Sequence, residues 1–146
     1  MTYTIKQAAE KSGLSIYTLR FYDKEGLLPF VARNQSGYRE FTDGDLNLIH
    51  TICCLKNTGM KISAIRTYID DVMAGPQTVD HRRELLTAHR DAVLENQRQV
   101  AENLKGIDFK LALYEDPNAL ALVQAERDLA EQEKRANHLE NPYAVH

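Results

Sequence analysis

Apolar residues in the first quarter of the chain recur at helical spacing and are interrupted by glycine. Ile5, Ala8, Ala9 and Leu14 place an apolar face along residues 5–12, and Gly13 stops the segment. Thr4, with Gln7 three positions on, has the form of a capping box. Ser15 caps a second predicted helix over 16–25, with Leu14 and Leu19 at the spacing of a hydrophobic staple. Ile16, Leu19 and Tyr22 to Asp23 define its inner side, while Tyr17, Thr18, Arg20 and Phe21 project around the others. Two helices joined by about three residues around a glycine make a helix-turn-helix pattern, and the second suits a groove.

The period then shortens. Phe30-Val31-Ala32 and Tyr38-Arg39-Glu40-Phe41 read as two short strands around Arg33-Asn34-Gln35-Ser36-Gly37, a loop with hairpin chemistry. Thr42 opens another helix with Phe41 and Leu46 stapled across its start. Leu46, Ile49, Cys53 and Lys56 to Asn57 mark its face as far as Gly59. Ile62, Ile65, Ile69 and Val72 form one stripe on a fourth helix. These elements predict a compact four-helix unit with one hairpin.

Met73-Ala74-Gly75-Pro76-Gln77 reads as a short connection. From Thr78 to Asp116-Pro117 only Gly106 disfavours helix, so a helix of about 36 residues, roughly 54 Å long, is expected. Leu86, Val93, Val100, Ile107 and Tyr114 recur every seven residues, with Leu104 and Leu111 widening the stripe. A seam of this kind is too long for the N-terminal unit to bury and calls for a partner helix. His89, Asn96 and Asn103 lie in or beside it, where polar groups fix register. A last helix is expected over 118–136, with Asp116 as cap, Pro117 at its first position and a modest stripe of Leu122, Ala125 and Leu129. The end, Asn141-Pro142-Tyr143-Ala144-Val145-His146, carries no recognisable motif.

Composition narrows the classes. The 146 residues are 43% apolar and 27% charged, which excludes full disorder, and no apolar run reaches the eighteen or so residues of a membrane span. The N-terminus lacks a signal-peptide pattern, so a cytoplasmic location is the expectation. Net charge is −3, which taken alone argues against a nucleic-acid partner. Its distribution changes that picture. Residues 1–72 carry nine basic and eight acidic groups, and the remainder nine and thirteen, so the acid lies in the long helix and tail.

Several motifs agree in order and spacing: Ile5-Lys6-Gln7-Ala8-Ala9, Thr18-Leu19-Arg20-Phe21-Tyr22-Asp23-Lys24-Glu25-Gly26-Leu27-Leu28, Gly37-Tyr38-Arg39-Glu40-Phe41, Asp45-Leu46 and Lys56-Asn57-Thr58-Gly59-Met60. Together they resemble the winged helix-turn-helix of MerR-type transcription regulators, over roughly residues 1–114. The resemblance implies a mainly α fold. A winged helix-turn-helix DNA-binding domain (1–74) would be followed by a linker and dimerisation helix (75–115) and a C-terminal helical tail (116–146). Two long helices would pair as an antiparallel coiled coil through Leu86, Val93, Val100, Leu104, Ile107 and Leu111, giving a homodimer. The implied partners are palindromic promoter DNA, which the dimer bends and untwists, and RNA polymerase at the promoter. No membrane, cofactor or metal is implied. Arg20, Tyr22, Tyr38 and Arg39 are the main candidates for DNA contact, with Ser15, Tyr17, Thr18 and Lys61 beside them. Phe21 stands where many relatives have tyrosine, and Lys61 where a small hydroxyl cap is common.

Adjacent Cys53 and Cys54 cannot build a disulfide framework and project about 100° apart on a helix. Metal-responsive relatives carry ligand cysteines around positions corresponding to Val79 to His81 and Tyr114 to Asn118, which hold none here. Cys54-Leu55-Lys56-Asn57-Thr58-Gly59 resembles the AdhR/NmlR-like subgroup, whose matching cysteine is implicated in responses to aldehydes and other electrophiles. Two readings stand: a thiol sensor at Cys54, with Lys56 and nearby basic groups supporting a thiolate, or a small buried hydrophobe. The five histidines are scattered and no phosphate loop or nucleophile triad stands out, so an enzyme is not expected. The rival from another class is a coiled-coil adaptor without DNA binding, which leaves the wing and helix-turn-helix motifs unexplained.

Overall fold

The computed structural model describes residues 1–145; His146, one of the five scattered histidines, lies outside the described residues. The chain divides into two compact units, Met1–Glu95 and Asn96–His146. The first holds helices α1 (Ile5–Ser12), α2 (Ile16–Lys24), α3 (Asp43–Asn57) and α4 (Ile62–Ala74), and strands β1 (Ala32–Arg33) and β2 (Arg39–Glu40). Helix α5 (Val79–Glu115) crosses the boundary, and α6 (Ala119–Ala136) lies in the second unit.

The helix starts follow local chemistry. The Thr4 side chain accepts from the Gln7 amide while Gln7 reaches back to the Thr4 amide, a complete capping box, and Thr42 with Asp45 repeats it at α3. Ser15 accepts from the Thr18 amide at 3.0 Å. Between α1 and α2, Gly13 sits at φ 73°, a left-handed conformation that permits the tight turn. The strands are shorter than the apolar runs suggest, with Ala32 opposite Glu40 and Arg33 opposite Arg39. Asn34 ends the ladder because its side chain accepts from the Ser36 and Tyr38 amides, giving the loop its own hydrogen bonds. Tyr3 adds a third edge by exchanging both backbone hydrogen bonds with Phe41, at 2.7 and 2.8 Å.

The core lies between these elements. Ala8, Leu19, Leu27, Leu28, Val31, Phe41, Ile49, Ile52, Ile65 and Ile69 are buried. On α3 the buried line is Ile49, Ile52 and Leu55; Cys53 is half-buried at its margin and Lys56 and Asn57 are exposed, which corrects the face expected from Leu46, Ile49, Cys53 and Lys56 to Asn57. Both lines have helical spacing, and Ile52 removes more apolar surface from water than a thiol.

A clasp joins α4 to α5. The Thr78 hydroxyl donates to the carbonyls of Asp71 and Gly75, and the Arg82 guanidinium donates to the same two carbonyls and to Thr78 Oγ1. Beyond it Leu85 and Leu86 pack on the N-terminal core, and His89 Nε2 lies 2.8 Å from Thr58 Oγ1 at the end of α3. Leu86 and His89 therefore serve the first unit, whereas the heptad pattern placed both in a seam awaiting a partner. Val93 is half-buried, and Val100, Leu104, Ile107, Leu111 and Tyr114 are exposed. The heptad stripe thus has two environments along one helix.

In the second unit α6 starts one residue later than expected. Asp116 accepts from the Asn118 amide at 2.7 Å and holds the turn, so Asn118 is the cap residue and Pro117 precedes the helix. Leu122, Ala125 and Leu129 are exposed. The motif-free tail packs locally: Arg127 donates to the Tyr143 carbonyl at 2.8 Å, and Arg127 and Lys134 lie over the Tyr143 ring. No helix among the described residues is long and apolar enough to cross a membrane.

Replacing Ile65, fully buried in α4, by alanine is expected to lower the unfolding free energy by about 2–5 kcal/mol. Thr42→Ala, which removes only a cap, should cost about 1 kcal/mol. Urea titrations of both variants followed by circular dichroism check the ranking.

Candidate nucleic-acid interface

Helix α2 and the β1–β2 wing border a groove of about 450 Å³ whose wall also includes Thr2 to Ile5. Arg20 and Asp23 enter it from α2, and Arg33, Tyr38 and Arg39 from the wing. Tyr17, Arg20 and Phe21, at i, i+3 and i+4, share one side of α2, and all three are exposed. Tyr17 is 80% and Tyr38 72% exposed, an unusual state for tyrosine that leaves two rings and two hydroxyls free to meet a ligand.

Arg39 has a different part. Its Nε and Nη2 donate to the two carboxylate oxygens of Asp23 at 3.1 and 2.8 Å, and Nη1 donates to the Val31 carbonyl. A bidentate, charge-assisted pair 16 residues apart in sequence ties the wing to α2. All three guanidinium nitrogens are thereby engaged inside the protein. Arg33 donates to the Gly37 carbonyl at 2.8 Å across the wing loop and remains exposed.

The remaining candidates are placed unequally. Ser15 and Thr18 are joined through their hydroxyls at 2.9 Å at the start of α2, Ser15 exposed and Thr18 half-buried. Tyr22 is corrected: only 5% exposed, it belongs to the core instead of the groove surface. The reason is geometric, since Tyr22 follows Leu19 by three residues on the buried side of α2. Lys61, exposed at the start of α4, makes no side-chain cap there and does not line the groove. Arg33 and Asn34 belong to the groove and were missed as contact candidates, although a cation within a polar hairpin loop was a usable signal.

The two thiols are also unequal. Burial pushes the Cys53 thiol above its ordinary value and the adjacent Cys54 adds to the rise, while the Tyr22 hydrogen bond opposes it. Tyr22 is raised by burial first and then by Cys53. Cys54 is exposed, and its Sγ lies 3.6 Å from His50 Nε2 one turn earlier on α3. His50 is thus a basic group in direct contact with the Cys54 sulfur.

Residues 3–72 match the family described as MerR HTH family regulatory protein. Among solved structures, the chain is similar to HiNmlR, a MerR family regulator lacking the sensor domain and bound to promoter DNA, with 43% identity and a TM-score of 0.77, over 86% of this chain and 99% of that one. The chain belongs to the MerR family. It shares 43% identity with an uncharacterised HTH-type transcriptional regulator of Haemophilus influenzae, over 86% of this chain and 93% of the relative. It is also 36% identical to the HTH-type transcriptional regulator AdhR of Bacillus subtilis, over 62% of this chain and 65% of AdhR. MerR proteins are transcriptional regulators, not enzymes, and this MerR chain shares their mainly helical fold with a small wing and a long helix.

Burial of Cys53 at the margin of the core links thiol ionisation to folding in this MerR domain. Cys53 holds its proton to higher pH folded than unfolded, so its stabilisation is complete below the unfolded value near 9.0 and is lost as pH rises through the folded one. Melting temperature should therefore fall as pH climbs from about 8 to about 11, and Cys53→Ala should flatten that decline, as measured by thermal melts across the range.

Proposed function

We propose that this MerR regulator binds a palindromic promoter site as a homodimer and distorts the DNA to change transcription, with RNA polymerase at the same promoter. The observation that carries the reading is the groove edge. It presents Arg20 on α2 together with Arg33 and Tyr38 on the wing, beside the exposed Tyr17, in a chain similar to a promoter-bound MerR regulator. Arginine offers two donors to a guanine edge or a phosphate, and tyrosine hydroxyls donate to phosphate oxygens. Ser15, Thr18 and Lys61 supply flanking backbone contacts in this reading, and Arg39 holds the wing in place.

Dimerisation rests on Val93, Val100, Leu104, Ile107 and Leu111, whose exposed stretch in the second unit is an apolar stripe at coiled-coil spacing. Residues 1–74 act as the DNA-binding domain, 75–115 as connection and dimerisation helix, and 116–146 as a tail. A dimer engages two half-sites at once, so affinity does not require a strongly basic lobe. The lobe's nearly balanced charge is consistent with this.

Cys54 is the sensing residue in this reading, and its electrophiles are aldehydes or oxidants. Exposure and the His50 contact favour it over Cys53, whose thiol burial keeps protonated.

The decisive experiment is selection of duplex DNA from a random pool by the full-length protein, followed by anisotropy titrations. Arg20→Ala should weaken the selected site by about 1–3 kcal/mol, Tyr22→Phe should leave it within about twofold, and Leu104→Lys should yield a monomer by ultracentrifugation with much weaker binding. Failure to enrich any palindromic sequence overturns the reading.

In a reporter strain, Cys54→Ser should retain operator occupancy and lose the response to formaldehyde or methylglyoxal. A response of unchanged size removes Cys54 from the sensing role.

A further inference from the structure

Next to the helix-turn-helix, on the side of α3 that carries the thiols, lies a cavity of about 510 Å³. Lys11, Gly13, Leu46, His50, Cys53 and Cys54 are among the residues lining it. Three observations meet here. Cys54 is exposed, so a reagent reaches its sulfur without opening the core. His50 Nε2 lies 3.6 Å from that sulfur, fixed by the i, i+4 register of α3. The Gly13 turn between α1 and α2 lines the same cavity, so a group bonded to Cys54 and held in it shares that space with the turn that leads into α2.

We infer that His50 is the positioning residue of a thiol–imidazole dyad: it orients the Cys54 sulfur toward the cavity and takes its proton as the sulfur attacks a small carbonyl electrophile. The inference rests on Cys54 being the sensing residue. With the ring protonated on Nδ1, the thiol donates to Nε2. As the sulfur bonds to an aldehyde carbon, the thiol proton passes to Nε2 and the carbonyl π pair moves to oxygen. That oxygen takes the proton back from the imidazolium, leaving a neutral hemithioacetal with no oxidant or reductant consumed. The same dyad assists alkylation by iodoacetamide, where the S–C bond forms, the C–I bond breaks, iodide leaves with its electron pair and the imidazolium releases the proton to water.

The charged surroundings of the dyad are few. Among the described residues lining the cavity, Lys11 bears the one full charge, and its ammonium lies 4.7 Å above the Tyr3 ring. On α3 Cys53 and Lys56 are the titratable residues within two positions of Cys54, and from α5 His89 comes within 2.8 Å of Thr58 Oγ1, which donates to the Cys54 carbonyl and not to its sulfur. His50 is the imidazole in contact with the Cys54 sulfur itself, and so the group placed to accept its proton.

The test uses the full-length protein with both cysteines, labelled by iodoacetamide and resolved by peptide mass spectrometry. In the parent the Cys54 rate constant, followed as a pH–rate profile, should exceed that of Cys53. His50→Ala and His50→Gln should both change that profile and slow Cys54 labelling about tenfold or more near pH 7. His50→Gln keeps a polar side chain without a base, so a profile restored by glutamine assigns His50 a structural role only and overturns the inference. An unchanged profile in both variants overturns it equally. Operator affinity measured on the labelled protein reports separately: His50-dependent labelling that leaves DNA binding and promoter output unchanged supports the dyad and sinks the sensing role of Cys54.

Discussion

The groove exists because Arg39 holds Asp23. Two strands of two residues each have little independent stability, and a hairpin this short would sample many orientations without support. The bidentate pair to Asp23 and the bond to the Val31 carbonyl fix the root of the wing to α2 and to the segment entering β1. The Tyr3–Phe41 bridge fastens the other side of the hairpin to the residues that precede α1. Arg20, Arg33 and Tyr38 inherit their relative positions from these attachments. An arginine conspicuous in the motif thus shapes the groove through the placement of others.

The same economy of parts governs the long helix. Its first turns are absorbed into the N-terminal unit: Arg82 satisfies carbonyls around the α4 terminus, Leu85 and Leu86 cover the core, and His89 meets Thr58. Past Glu95 the stripe is exposed. A seven-residue repeat reports that apolar side chains share a face; it does not report what covers each of them. Leu86 and Leu104 look alike in the pattern and differ because only one lies within reach of the small core.

Legibility in the sequence followed the range of the interaction. Caps at Thr4, Ser15 and Thr42 are local, three residues from donor to acceptor, and could be read directly. The Arg39–Asp23 pair and the Tyr3–Phe41 bridge span 16 and 38 residues and leave no local period, so they appeared only in the folded chain. On α3 the helical period accommodated either Ile52 or Cys53 as the inward residue, and packing decided for isoleucine. Tyr22 failed for a related reason. Its residue type suggested a phosphate contact, while its three-residue offset from Leu19 had already directed it inward. The family resemblance pointed to one region of the chain, and burial separated the exposed from the enclosed residues within it.

The neighbouring thiols, finally, are subject to different rules of change. Position 53 is enclosed by Tyr22 and the margin of the core, so a substitution there must satisfy packing before anything else. Position 54 faces solvent and carries no such obligation. A lineage can therefore gain, lose or exchange the chemistry at 54 through a single codon without first compensating for a loss of folding. Among descendants of one ancestral scaffold, responsiveness and architecture are free to diverge at different speeds.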